Sequence, residues 1–245
     1  MFDKDPYPSM SADELLMQLK SILNKTEEEM IHLKAESIRG LVRWRAKLPD
    51  MSGITLSKSD LCALDLTYVD FTDSDLSEAL MIGVNLTEAD LVRTNFKKTN
   101  LGGSNFYSAD LTDANLLEAN LAKTDLTEAT LQGANFENAD IGHGSDFSYA
   151  DLTDANLKNA NLRAGKFPGT TLTGANLTGA DLSLSENLTV EQIKSATIDK
   201  ATRFPSYIII KWTSDTDYDI QIDYNAESPE TKGTFPIEPP DPFAS

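Results

Sequence analysis

The chain has 245 residues, a formal net charge of −18, one cysteine and two histidines. That acidity disfavours direct contact with nucleic acid or an anionic membrane, because phosphate contacts need Lys and Arg, and a single Cys62 excludes an intrachain disulfide. No run of about 18 apolar residues is present to span a bilayer, and the Met-Phe-Asp-Lys-Asp-Pro start is charged where a secretory signal is apolar, so a cytoplasmic protein is expected.

In chain order, Ser11 with Glu14 reads as a capping box, and Leu15, Leu19, Ile22 and Leu23 follow at helical spacing. Thr26 with Glu29 is a second box, and Ile31, Ala35, Ile38, Leu41 and Val42 carry a helix past Trp44–Arg45 until Pro49 ends it. A helical hairpin over about 12–47, within an N-terminal segment 1–50, is predicted. Residues 51–184 are repetitive. An apolar residue returns every fifth position from Leu56 through Leu61, Leu66, Phe71 and onward to Ile141; one residue is inserted, and the series resumes at Phe147 and runs to Leu182, 26 units in all. Thr189 then begins a short helical patch (Val190, Ile193, Ala196), and Ile208–Ile210 with Trp212 reads as a strand, so 185–213 is a C-terminal cap. Residues 214–245, with prolines at 229, 236, 239, 240 and 242 and eight acids against one base, read as an extended or disordered tail.

A period of five fits neither the helix nor the strand. Fixed repetition signals a solenoid, in which each unit buries its apolar residue against its neighbours. Two positions before each Leu or Phe the residue is restricted, most often Ala and elsewhere Ser, Thr, Val, Leu, Ile or Gly, so each unit offers one large and one typically smaller inward side chain. Just before the Leu or Phe stands Asp or Asn in most units, placed to bond neighbouring backbone groups. The other two positions are polar and face solvent.

Stretches such as Ala109-Asp110-Leu111-Thr112-Asp113 and Ala114-Asn115-Leu116-Leu117-Glu118 match the Ala-(Asp/Asn)-Leu-x-x motif in full. The sequence therefore resembles the pentapeptide-repeat family, over about 130 residues. The resemblance implies a mainly β protein, a right-handed quadrilateral parallel β-helix with four units per coil. The 26 units would make about six and a half coils, a rod of roughly 30 Å at the inter-strand spacing. The segment from Leu188 through Arg203-Phe204-Pro205 is similar to C-terminal capping sequence of cyanobacterial members. A solenoid needs covers on both raw ends, and the N-terminal helices and the segment after 188 are the candidates.

Units four apart share a face if Gly142-His143-Gly144 is a bulge that skips no side. One face, centred on Phe71 and Leu91, holds Asp73, Asp113 and Asp154 besides the aspartates of the motif, against Arg93 alone. The face centred on Leu61 and Met81 is nearly uncharged at its first coils and presents Leu80 and Ile82 beside Cys62, Ala63, Gly83, Gly102, Gly103, Ala122 and His143. A third face holds Tyr68, Tyr107 and Tyr149. The Leu80–Ile82 patch invites a cover: either the Leu15, Leu19, Ile22, Leu23 stripe of the N-terminal helices or a partner.

No catalytic set is legible. His32 and His143 lie in different segments, no Cys/His spacing suits zinc, and no phosphate or dinucleotide loop is present. No cofactor or metal is expected and an enzyme is disfavoured. The favoured function is a protein–protein interaction scaffold, or regulatory binding protein, presenting a rigid four-sided rod to another protein or to a second copy of itself. Leu80, Ile82, Asp73, Asp113 and Asp154 are the candidate interaction residues. The alternative comes from the resemblance: some members mimic B-DNA in width and charge and occupy the DNA site of type II topoisomerases. The long N-terminal helical segment, the acidic tail and the lack of an apolar C-terminal dimerisation helix depart from those mimics.

Overall fold

The computed structural model describes residues 11–22, 28–43 and 50–223. Its body is a four-sided parallel β-helix. Each coil takes four of the five-residue units: Thr55 pairs with Asp75, Asp60 with Leu80, Asp65 with Asn85 and Asp70 with Asp90, all parallel. The four sides are named here in chain order by what they display. The asparagine side is centred on Leu56 and Leu76, the bare side on Leu61 and Met81, the tyrosine side on Leu66 and Leu86, and the acidic side on Phe71 and Leu91. The bare side is thus opposite the acidic side.

The large inward residues are sealed, from Leu56 to Leu182 at 0–1 % exposure, each worth about 1.5–3 kcal/mol of burial. They stack in columns along the rod, where Phe147 and Phe167 lie face to face with centroids 5.2 Å apart. Serine or threonine at the small inward position remains compatible with this core because its hydroxyl donates to a carbonyl of the preceding coil. Thr94 reaches Phe71 O and Thr99 reaches Leu76 O, both at 2.7 Å. Among the described residues no buried side-chain nitrogen or oxygen lacks a partner, which avoids a cost of about 1–3 kcal/mol per orphan.

The corners explain the remaining sequence pattern. The third residue of each turn has positive φ, at Lys58, Tyr68, Asp73, Arg93 and Asp113 among others, and glycine supplies it at 83, 103 and 133. Among the described residues, no Val, Ile or Thr takes that position, since a β-branched side chain is strained there. The motif Asp or Asn accepts the backbone N–H two positions on, as Asp70 does from Thr72 (2.9 Å) and Asn85 from Thr87 (3.1 Å). On the asparagine side these groups also chain from coil to coil. Asn95 Nδ2 donates to Asp75 at 2.9 Å, Asn115 to Asn95 at 3.0 Å and Asn156 to Asn135 at 3.0 Å.

Gly142-His143-Gly144 is a bulge that skips no side. Asp125 pairs with Asp146, one position beyond the regular spacing, and from Asp146 the regular pairing returns with Lys166. At the start of the rod the structure adds one unit to the predicted series. Met51 is fully buried and Ile54 N–H donates to its carbonyl at 3.2 Å, closing a turn with Gly53 at φ +66°.

Both ends are covered. Helices α1 (Ala12–Ile22) and α2 (Glu28–Arg43) pack together, Gly40 leaving room for Leu15, and the predicted Ser11–Glu14 box is formed. Leu15, Leu19, Ile38 and Leu41 join one core with Met51, Ile54, Leu56 and Leu61. Two cations of α2 donate to carbonyls on the open edge of the first coil: Lys34 Nζ to Thr55 O (3.4 Å) and Arg39 Nε to Asp60 O (3.0 Å). The second predicted box at Thr26 and the residues Leu23 and Trp44–Arg45 lie outside the described residues.

At the other end α3 (Val190–Ser195) is fastened by the Thr189–Gln192 capping box, buries Ile193, and uses Gln192 Nε2 to close Phe167 O and Thr170 O. Two further bridges follow, Thr197 on Asn176 and Arg203 on Asp181. Strand β1 (Ile208–Trp212) then pairs antiparallel with β2 (Tyr218–Ile222). The predicted tail therefore begins too early: residues 218–222 are a strand in which half-buried Ile220 and Ile222 pack against the core and Tyr218 meets Trp212. Residues 224–245 lie outside the described residues.

Candidate interaction surface

Because every side chain sits at one of five positions on one of four sides, charge can be assigned side by side. Over residues 54–184 the tyrosine and acidic sides, which adjoin, carry twelve carboxylates and two cations; the asparagine and bare sides carry seven and six. Nearly all of the rod's net charge thus lies on two neighbouring sides.

On the acidic side the predicted residues are aligned but unequal. Asp73 is tied to Arg93 of the next coil, Oδ1 to Nε at 2.6 Å and Oδ2 to Nη2 at 2.7 Å, and the hydrogen-bonded guanidinium holds the Asp73 carboxyl below the usual carboxylate range. Asp113 and Asp154 lie over Gly133 and Gly174 of the following coils, where any Cβ would meet their carboxylates. The three stand two coils apart in succession, roughly 10 Å each. They form a row of separated charges and do not converge.

On the bare side Leu80 and Ile82 come together. They flank the inward Met81 and are 46 % and 47 % exposed. The helices do not cover them: the Leu15, Leu19, Ile22 stripe is buried in the end cap, at 2 %, 0 % and 7 % exposure. Around the patch the side is low. Nothing lies within 4 Å of where a Cβ at Gly83 or Gly103 would stand. One coil up, Asp60 binds Arg39 at 2.8 Å, which ties the cap to the edge of this side. Burial pushes the adjacent Cys62 thiol up, and Asp60 adds to the effect, so the thiol stays protonated near neutral pH.

The tyrosine side alternates donors and acceptors. Tyr68 OH donates to Glu88 (3.3 Å) and Tyr107 OH to Glu128 (3.0 Å), while Tyr149 lies over Gly169.

A family model described as pentapeptide repeats matches at residues 50–81, 65–103, 104–141 and 155–185, together just over half of the chain. The chain belongs to the pentapeptide-repeat family. Among solved family members, HetL of the cyanobacterium Nostoc sp. strain PCC 7120, a protein involved in heterocyst differentiation regulation, is 29 % identical. That match covers 63 % of this chain and 82 % of HetL, with a TM-score of 0.25. A pentapeptide repeat protein of the Arabidopsis thaliana thylakoid lumen is 31 % identical over 46 % of this chain and 73 % of its own, with a TM-score of 0.26. QnrB1, a plasmid-mediated fluoroquinolone resistance protein, is 16 % identical over 64 % of this chain and 91 % of its own, with a TM-score of 0.42. A search of curated proteins finds no match. The family match starting at residue 50 agrees with Met51 as the first inward residue of the rod.

Sequence reasoning missed two contacts at these surfaces, Arg93 to Asp73 and Arg39 to Asp60. The first was within reach: once a coil holds four units, positions 73 and 93 are stacked neighbours. Among the described residues, no helix is long and apolar enough to cross a membrane.

Proposed function

We propose that this protein is a non-catalytic interaction scaffold acting in the cytoplasm, and that the bare side is its docking surface. One observation carries the reading. Leu80 and Ile82 stay half exposed, whereas the other large aliphatic side chains at outward positions of the rod, Val92, Leu117 and Leu184, are more covered, and the chain's own helices had an apolar stripe that could have covered the pair. Desolvating such a pair stabilises a complex by roughly 25 cal/mol for each Å² covered. Leu80→Glu/Ile82→Glu should leave the fold intact, and the expected result is loss of a stoichiometric partner that co-purifies with the wild type and binds it in calorimetry. A partner held equally well by both forms overturns this assignment of the bare side.

The charge partition favours a second reading, a B-DNA mimic acting on a type II topoisomerase through the adjoining acidic and tyrosine sides. This reading predicts inhibition of gyrase supercoiling that weakens in the triple variant Asp73→Asn, Asp113→Asn, Asp154→Asn. Asp73 already shares its charge with Arg93, so Asp113 and Asp154 should account for most of the weakening. Unchanged supercoiling at high micromolar protein removes gyrase as the target.

A further inference from the structure

We propose that the partner on the bare side is a second copy of this chain, docked side to side with the two rods parallel. The proposal rests on the reading of the bare side as a docking surface and goes on to name its occupant. Leu80 and Ile82 are the residues just before and just after the inward Met81, so they stand toward opposite edges of one coil. A two-fold axis running along the rods, between two bare sides, sets Leu80 of one copy against Ile82 of the other and repeats the contact across the axis. That is the isologous, self-complementary arrangement a closed dimer requires. The coil below offers Gly102 and Gly103 and the coil above Ala63, so small residues let the two backbones approach on either side of the aliphatic contact.

Charge selects the same arrangement. Each copy carries −18, so two copies meet only where that charge is sparse. Bare-to-bare contact turns the acidic sides outward, as far apart as the assembly allows. The parallel two-fold also brings the net-negative tyrosine side of each copy, with Asp65, Glu88 and Glu128, alongside the other copy's asparagine side, which is neutral overall because Lys58, Lys97, Lys98 and Lys158 balance Asp75, Glu78, Glu118 and Glu137. An antiparallel two-fold would set the two tyrosine sides, each net negative, next to one another. Over separations near the Debye length of about 8 Å that difference still counts.

Sedimentation equilibrium of the full chain, from about 1 to 100 μM, tests the proposal. The expected result is a reversible dimer of the 26.8 kDa chain. Leu80→Glu/Ile82→Glu should weaken it by about a hundredfold, since it sets unpaired charges in an apolar contact. Leu80→Ser/Ile82→Ser, with the circular dichroism spectrum checked for both variants, should weaken it less. Lys58→Glu/Lys97→Glu lies off the apolar contact and should also weaken the dimer at low salt if the rods are parallel. A wild type that stays monomeric at the top of that concentration range overturns the second copy as partner, as does a dimer indifferent to Leu80 and Ile82. A foreign partner lost in the Leu80/Ile82 variant would still support the docking side itself, so the two failures are separable. A dimer sensitive to Leu80/Ile82 but indifferent to Lys58/Lys97 overturns the parallel arrangement.

Discussion

Leu116→Asp is expected to unfold the middle of the rod. Leu116 has no exposed surface and lies in the column between Phe96 and Phe136. The substitution forfeits about 1.5–3 kcal/mol of burial and adds an ionisable group with no partner, for a combined loss of about 5 kcal/mol or more. In a chain of this size each kcal/mol moves the melting temperature by about 2–4 °C, so a fall of roughly 10–20 °C is expected. The effect should spread, because in a solenoid each coil is stabilised chiefly by its two neighbours. Hydrogen exchange should report loss of protection in the coils above and below, fading toward both ends. A melting temperature within a degree or two of the wild type would mean that Leu116 does not point inward.

Removal of residues 1–47 should be nearly as damaging, for a different reason. Helices α1 and α2 close the end of the rod, so deleting them uncovers Met51, Ile54, Leu56 and Leu61 together with the edge carbonyls that Lys34 and Arg39 occupy. An apolar end with an open strand edge is a template for association. The truncated protein should bind a hydrophobic dye strongly and aggregate at concentrations where the full chain stays dispersed. A narrower version is Ile38→Glu, which places a charge at a fully buried position of the same cover. Dispersed, dye-negative truncated protein would contradict the end-cap geometry. The deletion also separates two roles that the sequence left entangled: the dye should report the rod end, since Leu80 and Ile82 are exposed already in the full chain.

The body of the fold was legible because one feature repeats many times over. A period of five with a typically smaller residue two places before each large one admits a single solution, and the structure follows it from Leu56 to Leu182 with the bulge at 142–144 as expected. The ends were less legible. Met51, inside the predicted 51–184 body, was left out of the fifth-residue series because a lone methionine followed by a glycine turn does not advertise the series that it begins. Strand β2 was passed over because acidic composition outweighed a real alternation: Tyr218, Ile220 and Ile222 recur at period two, and Trp212 and Tyr218 meet across the hairpin at 5.2 Å.

The destination of the helices was the hardest point. An apolar stripe such as Leu15, Leu19 and Ile22 fits any apolar surface, and both the rod end and the bare side qualified. What decides between them is Lys34 and Arg39, whose long cationic side chains reach carbonyls that only a rod end leaves unpaired. The candidate surfaces were legible as lists of residues. Their chemistry was not, because the Arg93–Asp73 bond and the lie of Asp113 and Asp154 over glycines depend on side-chain directions that spacing alone does not give.

The four-unit coil makes the display on this rod a matter of modular arithmetic. Losing four units at a corner would shorten the rod by one storey and leave every column of side chains in line. Losing a single unit would keep the interior packed but turn everything downstream by a quarter revolution, so that the lower acidic column would continue beneath the upper tyrosine column. Length and orientation are therefore inherited separately: the core tolerates any whole number of units, whereas whatever binds along a side can follow only changes in multiples of four. The inserted residue at Gly142–Gly144 is tolerated on the same logic, because it is absorbed within one corner and advances no column.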